Sequence, residues 1–161
     1  MANWSPNRPP SGSGKLIRIV ADTNVLVSAC IGRGPASKVI EACLDGRLVP
    51  FLSGPLLLEY RDVLSRTEPF ANGRMSANER LALMDIFVSR CQWRTAHFKW
   101  RPNLVDEADN HLLELAISAN AHILVTSNVR DFEKAELRFP HIKIETPAAT
   151  VRRLEDERFN R

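Results

Sequence analysis

A chain of 161 residues with 44% hydrophobic content is the size of one compact domain and carries enough apolar mass for a real core. Its 22 Lys and Arg against 19 Asp and Glu leave a formal charge of +3, compatible with a nucleic-acid partner without requiring one, and most of the basic residues are Arg, the better phosphate fork. Cys30, Cys43 and Cys91 are odd in number and widely spaced, the 4 histidines lack zinc-ligand spacing, and no run reaches the roughly 18 apolar residues of a membrane span, which excludes a disulfide framework, a zinc site and a membrane helix and predicts a soluble cytoplasmic protein.

In chain order, "MANWSPNRPPSGSG" has too much Pro, Gly and Ser to fold, so residues 1–15 are expected to be a disordered tail or a cloning remnant, with one domain over 16–157. "LIRIVA" is apolar and β-branched without polar alternation, as expected for a strand covered on both faces. "PASKVIEACLDG" predicts a helix opened by Pro35 and stopped at Gly46. "RLVPFLS" is a second strand weakened by Pro50, after which Ser53 caps a helix with Leu56, Leu57, Tyr60, Val63 and Leu64 on its buried side. Pro69, Asn72 and Gly73 break that helix. Ser76 and Glu79 then form a capping box ahead of "RLALMDIFVSR", so the two helices make a hairpin.

"CQWRTAHF" reads as a short strand and "KWRPN" as a loop. Asp106 to Asn120 is expected to be helical, with Asn120 in the left-handed position that ends it. "HILVT" is a buried strand and "HIKIE" a half-exposed one, and Thr146 with Pro147 starts a last helix. Strands interleaved with helices predict a three-layer α/β/α sandwich with a mostly parallel central sheet.

In such a sheet, ligands bind outside the carboxyl ends of the strands. Four acids fall at element junctions on that edge: Asp22 after the first strand, Glu59 in "GPLLLEYRDVL", Asp109 in "VDEADNHLLELA", and Asp131 after "ILVTSN". Each has a plainer alternative: Asp22 or Thr23 can cap the next helix, Glu59 can be solvated, Asp109 can complement a helix dipole, and Asp131 can cap a short turn. Gathered together, however, carboxylates repel and destabilise the fold unless a cation neutralises them. Hard oxygen donors without His or Cys select Mg²⁺ or Mn²⁺, a cation suited to activating water against a phosphodiester.

The ordered set "IVADTNVLVSA", "LLLEYRDVL" and "DNHLLELAISANAHILVTSNVRDF" resembles the PIN domain and, within it, the VapC-type toxin components of bacterial toxin–antitoxin modules. The resemblance, over about Leu16 to Pro147, implies a PIN-like sandwich and a metal-dependent ribonuclease acting on RNA, with a cognate antitoxin protein and a homodimeric state. It carries Asp22, Glu59 and Asp109 over as metal-site carboxylates and Asn24 and Thr126 as supporting polar residues. Many family members place an acid where this chain has Asn128, and Asp131 is the candidate to replace it. The alternative reading is a PIN-like module that binds RNA or a partner without cutting.

Arg130, Arg101 and Trp100 are candidates for RNA contact, as phosphate ligands and a stacking surface. Phe70, Met75, Leu81, Met84, Phe87 and Val88 exceed the apolar bulk one helical hairpin needs, which points to self-association.

Overall fold

A computed structural model describes residues 16–95 and 110–159. The proposed tail over 1–15, the "KWRPN" loop with Trp100 and Arg101, and the helix start that includes Asp109 lie outside the described residues. The elements, in chain order, are β1 (Ile17–Ala21), α1 (Thr23–Ile31), α2 (Pro35–Leu44), β2 (Leu48–Leu52), α3 (Gly54–Leu64), α4 (Ala77–Arg90), β3 (Gln92–Trp93), α5 (Asn110–Ser118), β4 (Ile123–Val125), a 3₁₀ turn (Val129–Phe132), α6 (Glu133–Arg138), β5 (Lys143–Glu145) and α7 (Pro147–Phe159).

The sheet has five strands in the order β3-β2-β1-β4-β5, every neighbouring pair parallel. The chain builds outward from β1 to β2 and β3 on one side, then crosses back to lay β4 and β5 on the other. The crevice at the carboxyl ends of β1 and β4 is therefore a topological switch point. Helices cover the sheet as the first and third layers of the sandwich, and Ile19, Val20, Leu52, Leu124 and Val125 are completely buried between them.

Local signals account for most element ends. Ser53 accepts a hydrogen bond from the Leu56 N–H, and Ser76 with Glu79 forms the reciprocal capping box of α4. Two helices close with left-handed residues: Gly46 at φ 81° after α2 and Asn120 at φ 51° after α5. At the second, Ala121 N–H reaches Ala116 O (2.8 Å) and Asn120 N–H reaches Ile117 O (3.1 Å), the paired closing bonds that aim the chain into β4.

Pro50 sits in an interior strand because of where β2 is paired. It lies opposite Ile19 of β1, and β3 joins β2 only at Phe51 and Leu52, one residue further on. At Pro50 the strand has a neighbour on one side only, so the absent N–H is tolerated there as on an edge.

The helical hairpin corrects the reading of surplus apolar bulk. Phe70, Met84 and Phe87 are buried, and Met75, Leu81 and Val88 pack against the same core. Half of the apolar mass on which self-association was argued is thus taken up by the protein's own interior, while Met75, Leu81 and Val88 stay partly exposed. The hairpin turn is held by Arg80, only 4% exposed. Its Nε, Nη1 and Nη2 donate to the carbonyls of Leu64 (2.9 Å), Met75 (3.0 Å) and Arg66 (2.9 Å), and its guanidinium lies 4.0 Å from the centre of the Phe70 ring.

Arg80→Met keeps the apolar stem and removes those donors. It should lower unfolding free energy by about 2–3 kcal/mol, the scale of charged hydrogen bonds lost from buried acceptors, read as a lower urea midpoint at unchanged slope.

Candidate active site

Asp22 is the first residue past β1, and its backbone N–H still donates to Val125 O of β4 (2.9 Å). That bond carries the strand register one position beyond the last paired residues, Ala21 and Val125. Asp22 occupies the N-cap position of α1 with extended backbone (φ −61°, ψ 151°), yet its side chain makes no cap hydrogen bond. Capping is at most a minor role for this carboxylate, the Thr23 and Asn24 N–H groups being the smallest influences on its pKa. Its Oδ2 instead accepts from Thr126 Oγ1 (2.8 Å) and from Asn24 Nδ2 (3.2 Å).

Those two holders are themselves held. Thr126, with no exposed surface, uses its one donor on Asp22 and accepts from the Asn128 N–H (3.0 Å). Asn24 Nδ2 also approaches Thr126 Oγ1 (3.5 Å), and Asn24 Oδ1 accepts from the Ser127 N–H (3.1 Å). The network ties the end of β1, the first turn of α1 and the loop after β4 into one unit across the switch point. It brings together Asp22, Asn24 and Thr126, with Asn128 joined through its backbone.

Glu59 arrives from α3. Tyr60, fully buried beside it, donates its hydroxyl to Ala21 O (2.5 Å), so the residue after Glu59 is bonded to the residue before Asp22. The two carboxylates then feel each other. Burial raises the Asp22 pKa above its ordinary value, the Thr126 hydroxyl opposes this, and the Glu59 charge raises it further. Glu59 is driven the other way, its pKa lowered chiefly by a hydrogen bond from His111, against some desolvation.

His111 lies in the first turn of α5, and its Nε2 is 2.8 Å from Glu59 Oε2. Neither His111 nor Tyr60 stood out in the sequence except as an isolated histidine and a core position. The available signal for His111 was its place two residues after Asp109, in "DNH".

Asp131 and Arg130 sit exposed on the 3₁₀ turn. The Asp131 N–H bonds to Asn128 O (3.1 Å), and among the described residues no hydrogen bond or ion pair links its carboxylate to Asp22 or Glu59. The Asn128 side chain is also exposed.

Asp22 and Glu59 suit a hard divalent cation: their donors are carboxylate oxygens, and their mutual repulsion is what such a charge relieves. Buried polar atoms without a partner among the described residues, Thr23 Oγ1, Asn110 Oδ1 and His111 Nδ1, adjoin the acid positions in sequence. Among the described residues no three His, Cys, Asp or Glu side chains form a metal-holding group; the expected third carboxylate, Asp109, lies outside them.

The PIN domain family model matches residues 18–130, a span from within β1 to the turn after β4. No curated protein sequence matches the chain. Among solved structures, the fold is similar to the crystal structure of VapBC2 from Rickettsia felis bound to a DNA fragment from their promoter, with a TM-score of 0.53 and 19% identity, over 81% of this chain and 98% of that one.

Two substitutions test the network in metal-free protein. Thr126→Val removes the shorter of the two side-chain bonds to Asp22, strands the Asn128 N–H, and should cost about 1–2 kcal/mol by urea unfolding. Asp22→Asn keeps an acceptor for Thr126 and Asn24 while removing the buried charge, so its Tm in chelator should equal or exceed the parent's at neutral pH. Because the native Asp22 pKa is raised, ionised Asp22 opposes folding at high pH. The gap between the two proteins should close as pH falls through that raised native value.

Proposed function

Since this chain belongs to the PIN domain family, we propose that it is a metal-dependent endoribonuclease, the VapC-type toxin of a toxin–antitoxin module. The observation that carries this reading is the pair of acids at the switch point: Asp22 is held by Thr126 and Asn24, and Glu59 is near enough for its charge to act on Asp22. Setting a second carboxylate beside the buried Asp22 is destabilising, and a fold retains such a pair where function needs the charge.

Asp22, Glu59 and Asp109 are the residues that would hold Mg²⁺ or Mn²⁺, with Asp131 a candidate fourth acid. The bound cation supplies a polarised water and neutralises charge developing on the phosphodiester. The chain's own residues orient and exclude. Thr126 and Asn24 keep the Asp22 carboxylate in one orientation, and Tyr60 sets the height of α3 against β1. Arg130 stands on the turn after β4; Arg130 and Arg101 are proposed as phosphate ligands and Trp100 as a stacking surface for RNA. The cognate antitoxin protein is proposed as a partner. Homodimerisation rests on the family resemblance, and sedimentation at micromolar concentration tests it.

Asn128 favours a second reading. It offers a neutral carbonyl where a carboxylate would add a full charge, which lowers attraction for a second cation and suits a module that binds RNA without cutting.

Single-stranded RNA with Mn²⁺ separates the two. The nuclease reading expects cleavage abolished by chelator and reduced at least roughly 10²-fold by Asp22→Asn. Asp131→Asn should reduce it less. RNA binding without cleavage in millimolar Mn²⁺ would overturn the reading in favour of the module. Mn²⁺ affinity without RNA should be weak, roughly 10⁻⁴ to 10⁻³ M, and Asn128→Asp should tighten it in a calorimetric titration.

A further inference from the structure

Asp22 and Glu59 are held by different chemistry. Asp22 has two neutral side-chain donors on a single oxygen, both from residues anchored to the loop after β4. Glu59 comes from a helix, and the strongest hydrogen bond to its carboxylate is from His111 on α5, to Oε2 at 2.8 Å, with the Thr23 hydroxyl of α1 a weaker influence on its pKa. The contact is partly shielded, with side chains 23% exposed for His111 and 36% for Glu59.

An ionised carboxylate only accepts, so the proton in the contact belongs to His111 Nε2, which donates to Glu59 Oε2 at 2.8 Å. The other ring nitrogen, Nδ1, is buried without a partner among the described residues, so Nε2 is the nitrogen through which His111 acts on a neighbouring side chain.

We propose that His111 is a positioning residue for Glu59, its Nε2–H fixing one carboxylate oxygen so that the other is presented to a divalent cation in the crevice beside Asp22. The inference rests on the metal-dependent reading above. Ligating carboxylates are held by outer hydrogen bonds of this kind, and removal of such a partner typically lowers metal affinity by about 10–100-fold. A glutamate on a helix has three rotatable bonds, and without His111 the cation would have to order them itself.

The test uses the full chain and Mn²⁺ alone. Gln at position 111 can place its Nε2–H where the imidazole Nε2–H lies, whereas Leu fills similar volume without a donor. Calorimetric titration should show His111→Leu weakened about tenfold or more and His111→Gln within about threefold of the parent, with thermal melts in chelator alike for the two variants. In the metal-free parent, imidazole ¹⁵N shifts should show a proton on Nε2, a readout that survives even if a variant fails to fold. Equal Mn²⁺ affinity for all three proteins, or a proton on Nδ1 alone, overturns the positioning role and leaves the metal reading standing. A parent that binds no Mn²⁺ at millimolar concentration overturns the metal reading itself and the inference with it.

Discussion

Much of this fold is arranged around a carboxylate buried at the end of its central strand. Asp22 is only 7% exposed, and desolvation pushes its pKa up. To keep it there, β4 must end level with β1 so that Thr126 can donate to it, and α1 must start at once so that Asn24 can reach back. The loop after β4 is then committed, because Ser127 and Asn128 spend their N–H groups on Asn24 and Thr126. A charge that opposes folding organises the corner that tolerates it.

The second acid depends on a longer chain of supports. Ser53 starts α3 immediately after β2, Tyr60 bonds that helix to the carbonyl of Ala21, and Arg80 pins the far end of α3 to the hairpin turn through Leu64 and Arg66. Glu59 lies between these anchors and inherits their position. Its pKa moves down while that of Asp22 moves up, so the two carboxylates are set apart electrostatically, Asp22 by its burial and Glu59 by its hydrogen bond with His111.

The fold likeness to VapBC2 at 19% identity shows how little sequence the architecture demands. Parallel strands buried on both faces need apolar β-formers and caps at the right intervals, and many sequences supply them. The site is less permissive: the loop after β4 that carries Asn128 also carries the Asp22 network, with the Asn128 N–H donated to Thr126 Oγ1.

The sequence by itself determined most of the elements and their order, α6 (Glu133–Arg138) excepted. Capping residues, proline at helix starts, left-handed Gly46 and Asn120, and unbroken apolar strands act within a few positions of where they are read, so they are legible without a partner. It also placed Asp22 at a strand end, because a carboxylate in the middle of a strand covered on both faces would be a charge buried without water, and the chain avoids that by ending the strand there. Only the tertiary structure decided which groups meet. Thr126 finds Asp22 across 104 positions, Tyr60 finds Ala21 across 39, and His111 finds Glu59 across 52. The same holds for Pro50 in an interior strand and for the hairpin's apolar side chains, whose burial depends on neighbours brought up by the sheet. Hydrogen bonds and packing are set by distance in space, and no periodicity or local propensity encodes a contact between segments that the chain brings together only when it closes the sheet.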